Sequence, residues 1–279
     1  MTAQPSLAFS GKTGSIPAVG FGTSPLTGGL SADTVFAALQ TGYRHIDTAR
    51  KYGTEPAVGE AMRGSRIARG DIFLTTKVSH ENLHVGDFGR SLDQSLRALK
   101  VDYVDLLLVH WPNPSIPLEE TMPALAIAKR RGLARHIGVA NFNIALLDKA
   151  IALCPEPLAV LQAECHPYLD QSKLLAAARR HGLVFIAYCP LARGRLLGDP
   201  VLGDIAGKHG RSVAQVALRW LIQQDVSVIP FSSKPERIAE NFGVFDFTLS
   251  DDEMARLAAL KRENGRVANP VGRVPGGWD

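Results

Sequence analysis

Short apolar runs alternate with longer segments of helical period along most of the chain. Runs rich in Val, Ile, Leu and Phe fall at 18–21, 45–47, 72–77, 104–110, 136–140, 160–164, 184–188 and 226–229. They show little apolar–polar alternation, the pattern expected of parallel strands covered on both faces. Between them, apolar residues recur at the spacing of amphipathic helices over 31–41, 54–64, 87–99, 118–131, 143–153, 170–181, 212–223 and 234–242. A last helix is predicted near 250–260, where SDDEMARLAAL carries acidic residues in its first turn, as the helix dipole favours. Ser31, Asp87 and Ser212 stand where N-terminal helix signals belong. Eight strand–helix units predict an α/β fold, a single (β/α)8 TIM barrel domain over 1–279. A lead-in hairpin around Gly11 and Gly14 precedes it, and a C-terminal helix and a Gly- and Pro-rich tail follow it.

Composition narrows the function classes. The 279 residues are 46% hydrophobic and 21% charged, an ordinary globular mix. A formal net charge of +4 is a weak field for this size, and the basic residues are scattered, so no nucleic-acid partner is expected. Cys154, Cys165 and Cys189 are too few and too irregular for a disulfide framework. No apolar stretch reaches the roughly 18 residues of a membrane span. The opening MTAQPSLAFSGKTGS lacks the pattern of a secretory leader. A cytoplasmic monomer acting on a small molecule, without membrane association, is the expectation.

An open dinucleotide-binding fold is the structural rival. Its G-x-G-x-x-G fingerprint fails here, because Gly20 and Gly22 are followed by Pro25 where the third glycine belongs.

In a barrel the chemistry sits at the C-terminal ends of the strands. The second predicted strand ends in Asp47, the third in Lys77 and the fourth in His110, and Tyr52 follows in the loop after Asp47. Singly, each has a blander role: a helix cap, a snorkelling lysine, a structural histidine, a packed tyrosine. Together on one rim they form a set with specific chemistry. Tyrosine is a poor acid, with a free pKa of about 10. A neighbouring ammonium is expected to lower that value, and a carboxylate would fix the ammonium in place. The result suits protonation of an oxyanion while a carbonyl is reduced, with His110 orienting the carbonyl oxygen or relaying the proton. A metal-dependent hydrolase is the rival enzyme, with His45, Asp47, His110 and His166 as ligands. No H-E-x-x-H pair supports it, Lys77 would repel the cation, and no metal site is expected.

The same residues carry a resemblance. GYRHIDTA at 42–49, Lys51-Tyr52-Gly53 and VGEAM at 58–62 are similar to the aldo-keto reductase signature. The likeness continues through DIFLTTKV (71–78), SLRALKVDYVDLLLVHWP (95–112), GVANF (138–142), LQAECHPYL (161–169) and PERIAENF (235–242). Within that family the chain most resembles bacterial 2,5-diketo-D-gluconate reductase-like members. The resemblance implies an NADP(H)-dependent carbonyl reductase whose catalytic tetrad is Asp47, Tyr52, Lys77 and His110, with Tyr52 as proton donor. It implies that Asn141 and Gln162 hold the nicotinamide carboxamide and that Tyr188 stacks on the ring. Leu191 would run along the pyrophosphate, while Ser232, Ser233, Arg237, Glu240 and Asn241 would surround the adenosine end. Phe21, Trp111 and Trp278 are candidate walls for an aldehyde, keto-sugar or α-dicarbonyl substrate.

Three positions depart from the family pattern. Ala140 replaces the usual serine before the asparagine, Cys189 replaces the serine of YSPL, and Phe231 replaces the lysine of IPKS. That lysine contacts the 2′-phosphate of NADPH in the family, so its loss removes a charge-assisted contact and makes NAD(H) use an expectation. Lys234 and Arg237 remain as charges nearby. A cofactor-binding regulatory subunit, like the barrel relatives attached to potassium channels, is the non-enzymatic alternative, and the intact set around Tyr52 argues against it.

Overall fold

The computed structural model describes residues 4–11, 13–24, 31–270 and 272–279. Strands β1 (Ser6–Ala8) and β2 (Ser15–Pro17) pair antiparallel, forming the expected lead-in hairpin, with Gly11 and Gly14 at positive φ between them. Pro25, which breaks the dinucleotide fingerprint, lies outside the described residues.

Among the described residues, eight parallel strands follow in sequential order: β3 (Phe21–Gly22), β4 (His45–Asp47), β5 (Phe73–Val78), β6 (Val104–Val109), β7 (Ala134–Ala140), β8 (Val160–Glu164), β9 (Val184–Tyr188) and β10 (Val226–Val228). The sheet curls until its two ends meet. Val19 bridges Val228 in parallel, the Gly20 amide donates to Val228 O at 2.8 Å, and the Gly22 amide donates to Pro230 O at 3.0 Å. A Cβ on Gly22 would stand 2.8 Å from Ile229 O, so this seam needs glycine. The expected barrel is therefore present, although its first strand is shorter and later than 18–21.

Both faces of the strands are apolar, but they serve different cores. Leu106 and Leu108 of β6, Val160 of β8 and Ile186 of β9 pack inside the barrel, where Phe9 and Ile16 of the hairpin plug its lower end. Leu107, Val109, Leu161 and Phe185, one step out of phase, pack outward against the helices. Continuing the inward phase toward the C-terminal ends replaces hydrocarbon with Asp47, Lys77, His110, Gln162 and Tyr188. The lower barrel is thus a packed core and its upper layer is polar.

The outer layer holds α1 (Ala32–Thr41), α2 (Glu55–Gly64), α3 (Val85–Leu99), α4 (Leu118–Arg130), α5 (Ile144–Leu153), α6 (Ser172–Arg180), α7 (Pro200–His209), α8 (Val213–Ile222), α9 (Pro235–Phe242) and α10 (Asp251–Ala258). Ser31 caps α1, and Ser212 and Ser250 form capping boxes with Gln215 and Glu253. Helix α3 begins two residues before 87, so Asp87 lies in its first turn rather than at its cap. Helix α7 was not predicted, because Gly203 and Gly207 weaken its helical pattern. Its ends are nonetheless well marked: Asp199 accepts from the Val201 and Leu202 amides, Pro200 opens the helix, and Gly210 closes it in the left-handed region.

Candidate active site

Asp47 and Lys77 end neighbouring strands β4 and β5, and both are buried. Lys77 Nζ donates to Asp47 Oδ1 at 2.5 Å and to Thr48 O at 2.9 Å. Tyr52 ends a short 3-10 turn, Arg50–Tyr52, which Gly53 closes in the left-handed conformation. That turn lays the Tyr52 ring beside Lys77, with Nζ 5.1 Å from the ring centroid. His110 follows β6, and its Nε2 is 3.4 Å from Tyr52 Oη, the two rings meeting edge-on. The four residues singled out on the rim do converge.

Burial decides their protonation. It pulls Lys77 down, but the Asp47 carboxylate and Tyr52 outweigh it and hold the ammonium above the ordinary lysine range. It pushes Tyr52 up, against the opposing pull of Lys77. The expectation that Lys77 lowers the phenol overall is corrected here: desolvation of a phenolate in this wall is the larger effect. Burial, reinforced by Lys77, drives His110 well below the usual histidine range, so its imidazole is neutral at pH 7.

A second group adjoins the first. Asn141 adopts positive φ (65°) at the end of β7, donates from Nδ2 to His110 O at 2.8 Å, and accepts from Tyr188 Oη at 2.6 Å. Gln162 Nε2 donates to Asp47 Oδ2 at 2.8 Å. Asp47, Tyr52, His110, Asn141, Gln162 and Tyr188 all open onto one cavity of about 560 Å³, within the range of small-molecule sites. Leu191, Ser232, Arg237, Glu240 and Asn241 line its other end, and Ser212 Oγ holds the Glu240 carboxylate at 2.5 Å.

Of the expected substrate walls, Trp111 lines the cavity and Trp278 packs edge-on against it at 6.1 Å. Phe21 does not line it. Its ring is buried behind the wall, 5.6 Å from Tyr43 and 6.0 Å from Phe231. Ser233 is exposed outside the lining, and Lys77 lies behind it. Arg193 was missed and does line the cavity. It sits in the loop after β9, where Cys189, Ala192 and Arg193 all have positive φ, a conformation non-glycine residues seldom adopt. A basic residue before Gly194, just past a strand end, was its sequence signal.

The alternative ligand set does not assemble. His45 Nε2 pairs with Thr75 Oγ1 at 3.0 Å, His166 Nε2 with Glu164 at 2.8 Å, and Asp47 with Lys77. Among the described residues no three His, Cys, Asp or Glu side chains gather as a metal site, and no helix is long and apolar enough to cross a membrane.

The sequence profile of the Aldo/keto reductase family matches residues 18–262. Methylglyoxal reductase DkgB of Escherichia coli O157:H7 is 42% identical over 267 residues, covering 95% of this chain and 99% of that protein. The crystal structure of a protein provisionally named 2,5-diketo-D-gluconic acid reductase B is 47% identical, with a TM-score of 0.90 over 95% of this chain and 94% of that one. An aldo/keto reductase structure from Brucella melitensis is 40% identical, with a TM-score of 0.86 over 92% of this chain and 99% of the other.

Proposed function

The chain belongs to the aldo/keto reductase family, and on that premise we propose that it reduces small α-dicarbonyls, keto-sugars or aldehydes with NADPH, Tyr52 giving the proton. One observation carries the reading: the Tyr52 phenol stands on the cavity wall between a buried lysine–carboxylate pair and the His110 imidazole. The name of the Escherichia coli relative supports an α-dicarbonyl as the first substrate to test.

Tyr52, Asn141, Gln162 and Tyr188 present the groups a nicotinamide needs at one end of the cavity: two amides for its carboxamide and an aromatic face for its ring. Arg193 and Arg237 offer cations for phosphates farther along, Arg237 from the first turn of α9. NADPH, when bound there, supplies hydride to the carbonyl carbon. The side chains then manage the oxygen. Tyr52 Oη and His110 Nε2, 3.4 Å apart, bracket the place where the carbonyl oxygen gathers charge. Tyr52 is protonated at neutral pH and can donate to it. Lys77 does not transfer that proton. Its fixed charge stabilises the phenolate as the proton leaves, in a low-dielectric site where such stabilisation is large. Asp47 keeps the ammonium charged and aimed.

Cofactor selectivity follows from Phe231. Its half-buried ring leans on Phe21 and supplies no charge where the family pattern has lysine. NADPH is therefore favoured over NADH by a narrow margin, through Ser232 and Arg237, which line the cavity. The three cysteines are all free, which suits a reducing compartment, and we place the enzyme in the cytoplasm.

The test is oxidation of NADPH with methylglyoxal and a panel of other carbonyls by the wild type and by Tyr52→Phe. General acid catalysis predicts a fall in kcat of roughly 10²–10⁴-fold in the variant. Equal rates in both proteins would remove Tyr52 from the acid role, and no turnover of any carbonyl would remove the reductase reading.

A further inference from the structure

Glu164 is fully buried at the end of β8, in the inward-facing phase of the barrel, yet no step above uses it. Its carboxylate turns away from the cavity and toward the C-terminal tail. Oε1 accepts from the Val267 amide at 2.6 Å and from His166 Nε2 at 2.8 Å, and Oε2 accepts from the Ala268 amide at 2.8 Å. Gln171 Nε2 fixes the Glu164 carbonyl at 2.6 Å, so the backbone that carries the carboxylate is itself held.

The tail leads from this anchor to the substrate end of the cavity. Ala268 lines the cavity directly. Arg266, whose Nη1 is 4.0 Å from Glu164, lays its guanidinium 3.7 Å from the centroid of the Trp278 ring. Trp278 in turn packs against Trp111, a cavity wall, and donates from Nε1 to Asn269 Oδ1 at 2.9 Å. The far end is tied down as well: Asn143 Nδ2 donates to Pro275 O and Gly277 O, and Asp279 Oδ2 accepts from the Ile144 amide. At the near end, Gly265 passes so close to Tyr168 O that a Cβ would stand 1.8 Å from it. Between these two ends the tail is joined to the barrel's polar layer through Glu164.

We propose that Glu164 is a positioning residue for substrate selection: its buried carboxylate tethers the Val267–Ala268 backbone and so sets Ala268, Trp278 and Trp111 against the carbonyl substrate. An acceptor-only group suits this task, because every group it meets is a donor. A glutamine of equal size would keep one acceptor but turn its NH2 toward the donors on the other oxygen. The inference rests on the reductase reading above for its kinetic consequence, while the tether itself is a property of the fold.

The experiment compares wild type, Glu164→Gln, Trp278→Ala and the double variant, with methylglyoxal and the bulkier phenylglyoxal as substrates. Deuterium uptake of the tail and NADPH affinity by fluorescence are measured alongside. Glu164→Gln is expected to raise KM about tenfold and to speed exchange at 266–270, leaving kcat and NADPH affinity within about twofold. Trp278→Ala should raise KM similarly, and the double variant no further, because both changes release the same wall. A fall in kcat or in NADPH affinity with KM unchanged overturns the proposal, as do KM effects that multiply in the double variant. If Glu164→Gln does not fold, Glu164→Asp keeps the charge but shortens the reach, and the same KM and exchange criteria apply to it. If the wild type reduces no carbonyl, the functional reading fails. Exchange at 266–270 then decides the tether alone: faster exchange in the variant sustains it and unchanged exchange refutes it.

Discussion

Gln162 on β8 donates its side-chain amide to Asp47 on β4 across the barrel mouth, at 2.8 Å, on the carboxylate oxygen that Lys77 leaves free. The two strands stand opposite each other in the eight-stranded order. One carboxylate thereby joins the proposed proton-donating group on one side of the mouth to the proposed nicotinamide-binding amide on the other.

Gln162→Leu should affect both sides. It removes a proposed carboxamide contact and leaves Asp47 Oδ2 buried without that donor, costing about 1–3 kcal/mol of stability. NADPH affinity and kcat are each expected to fall about tenfold. Fluorescence titration, steady-state kinetics and urea unfolding on the same preparation check the three effects, and unchanged NADPH affinity would exclude Gln162 from the cofactor site.

Lys77→Met leaves a buried carboxylate with no counter-charge. Breaking such a pair costs about 3–5 kcal/mol. With the opposing ammonium gone, burial and the Asp47 carboxylate both push the Tyr52 pKa up unopposed. The expected result is a loss of kcat of at least about 10²-fold. Retention of near-wild-type kcat would show that Lys77 does not assist Tyr52.

Phe231→Lys restores a cation beside Ser232. A charge-assisted contact to phosphate is worth about 1.5–3 kcal/mol, which predicts a roughly 10–100-fold gain in the NADPH-over-NADH ratio of kcat/KM. A wild type already as selective as the variant would mean that Phe231 does not set cofactor choice.

His45 carries a pH dependence of stability. Burial, with Lys77 adding to it and Asp47 opposing, pulls its pKa down to about 4 from the ordinary 6.5. The unfolded chain therefore binds a proton that the folded chain refuses. No penalty exists above pH 6.5. It grows as the pH falls toward 4, reaching about 3 kcal/mol below that. His45→Gln, which can still meet Thr75 Oγ1, should flatten the stability profile between pH 7 and 4. An equally steep acid loss in the variant would assign it to other groups.

The parts of this protein legible in its sequence are those written locally. Strands β4, β8 and β9 occur at the predicted residues, because each is a short segment set between stretches of helical period. The rim positions Asp47, Lys77 and His110 were legible because each stands at a predicted strand end, and Tyr52 because it follows in the loop after Asp47. Helix α7 is not legible in the sequence because its signals lie at its ends while two glycines blur its middle. Phe21 was misplaced for a related reason. An aromatic beside a strand end reads the same whether it faces the cavity or the layer behind it, and only the rings of Tyr43 and Phe231 show which.

By itself, the sequence determined the alternation of strand and helix, the closed eight-unit barrel that such alternation favours, and the ionisable groups at its rim. These follow from backbone preference and from the burial of apolar runs, which act over a few residues. Tertiary structure alone decided that burial overrides Lys77 in holding the Tyr52 proton, that Gln162 reaches Asp47, and that Glu164 serves the tail instead of the cavity. Each depends on distance and desolvation between groups far apart in the chain, and only the closed barrel and its docked tail bring those groups together.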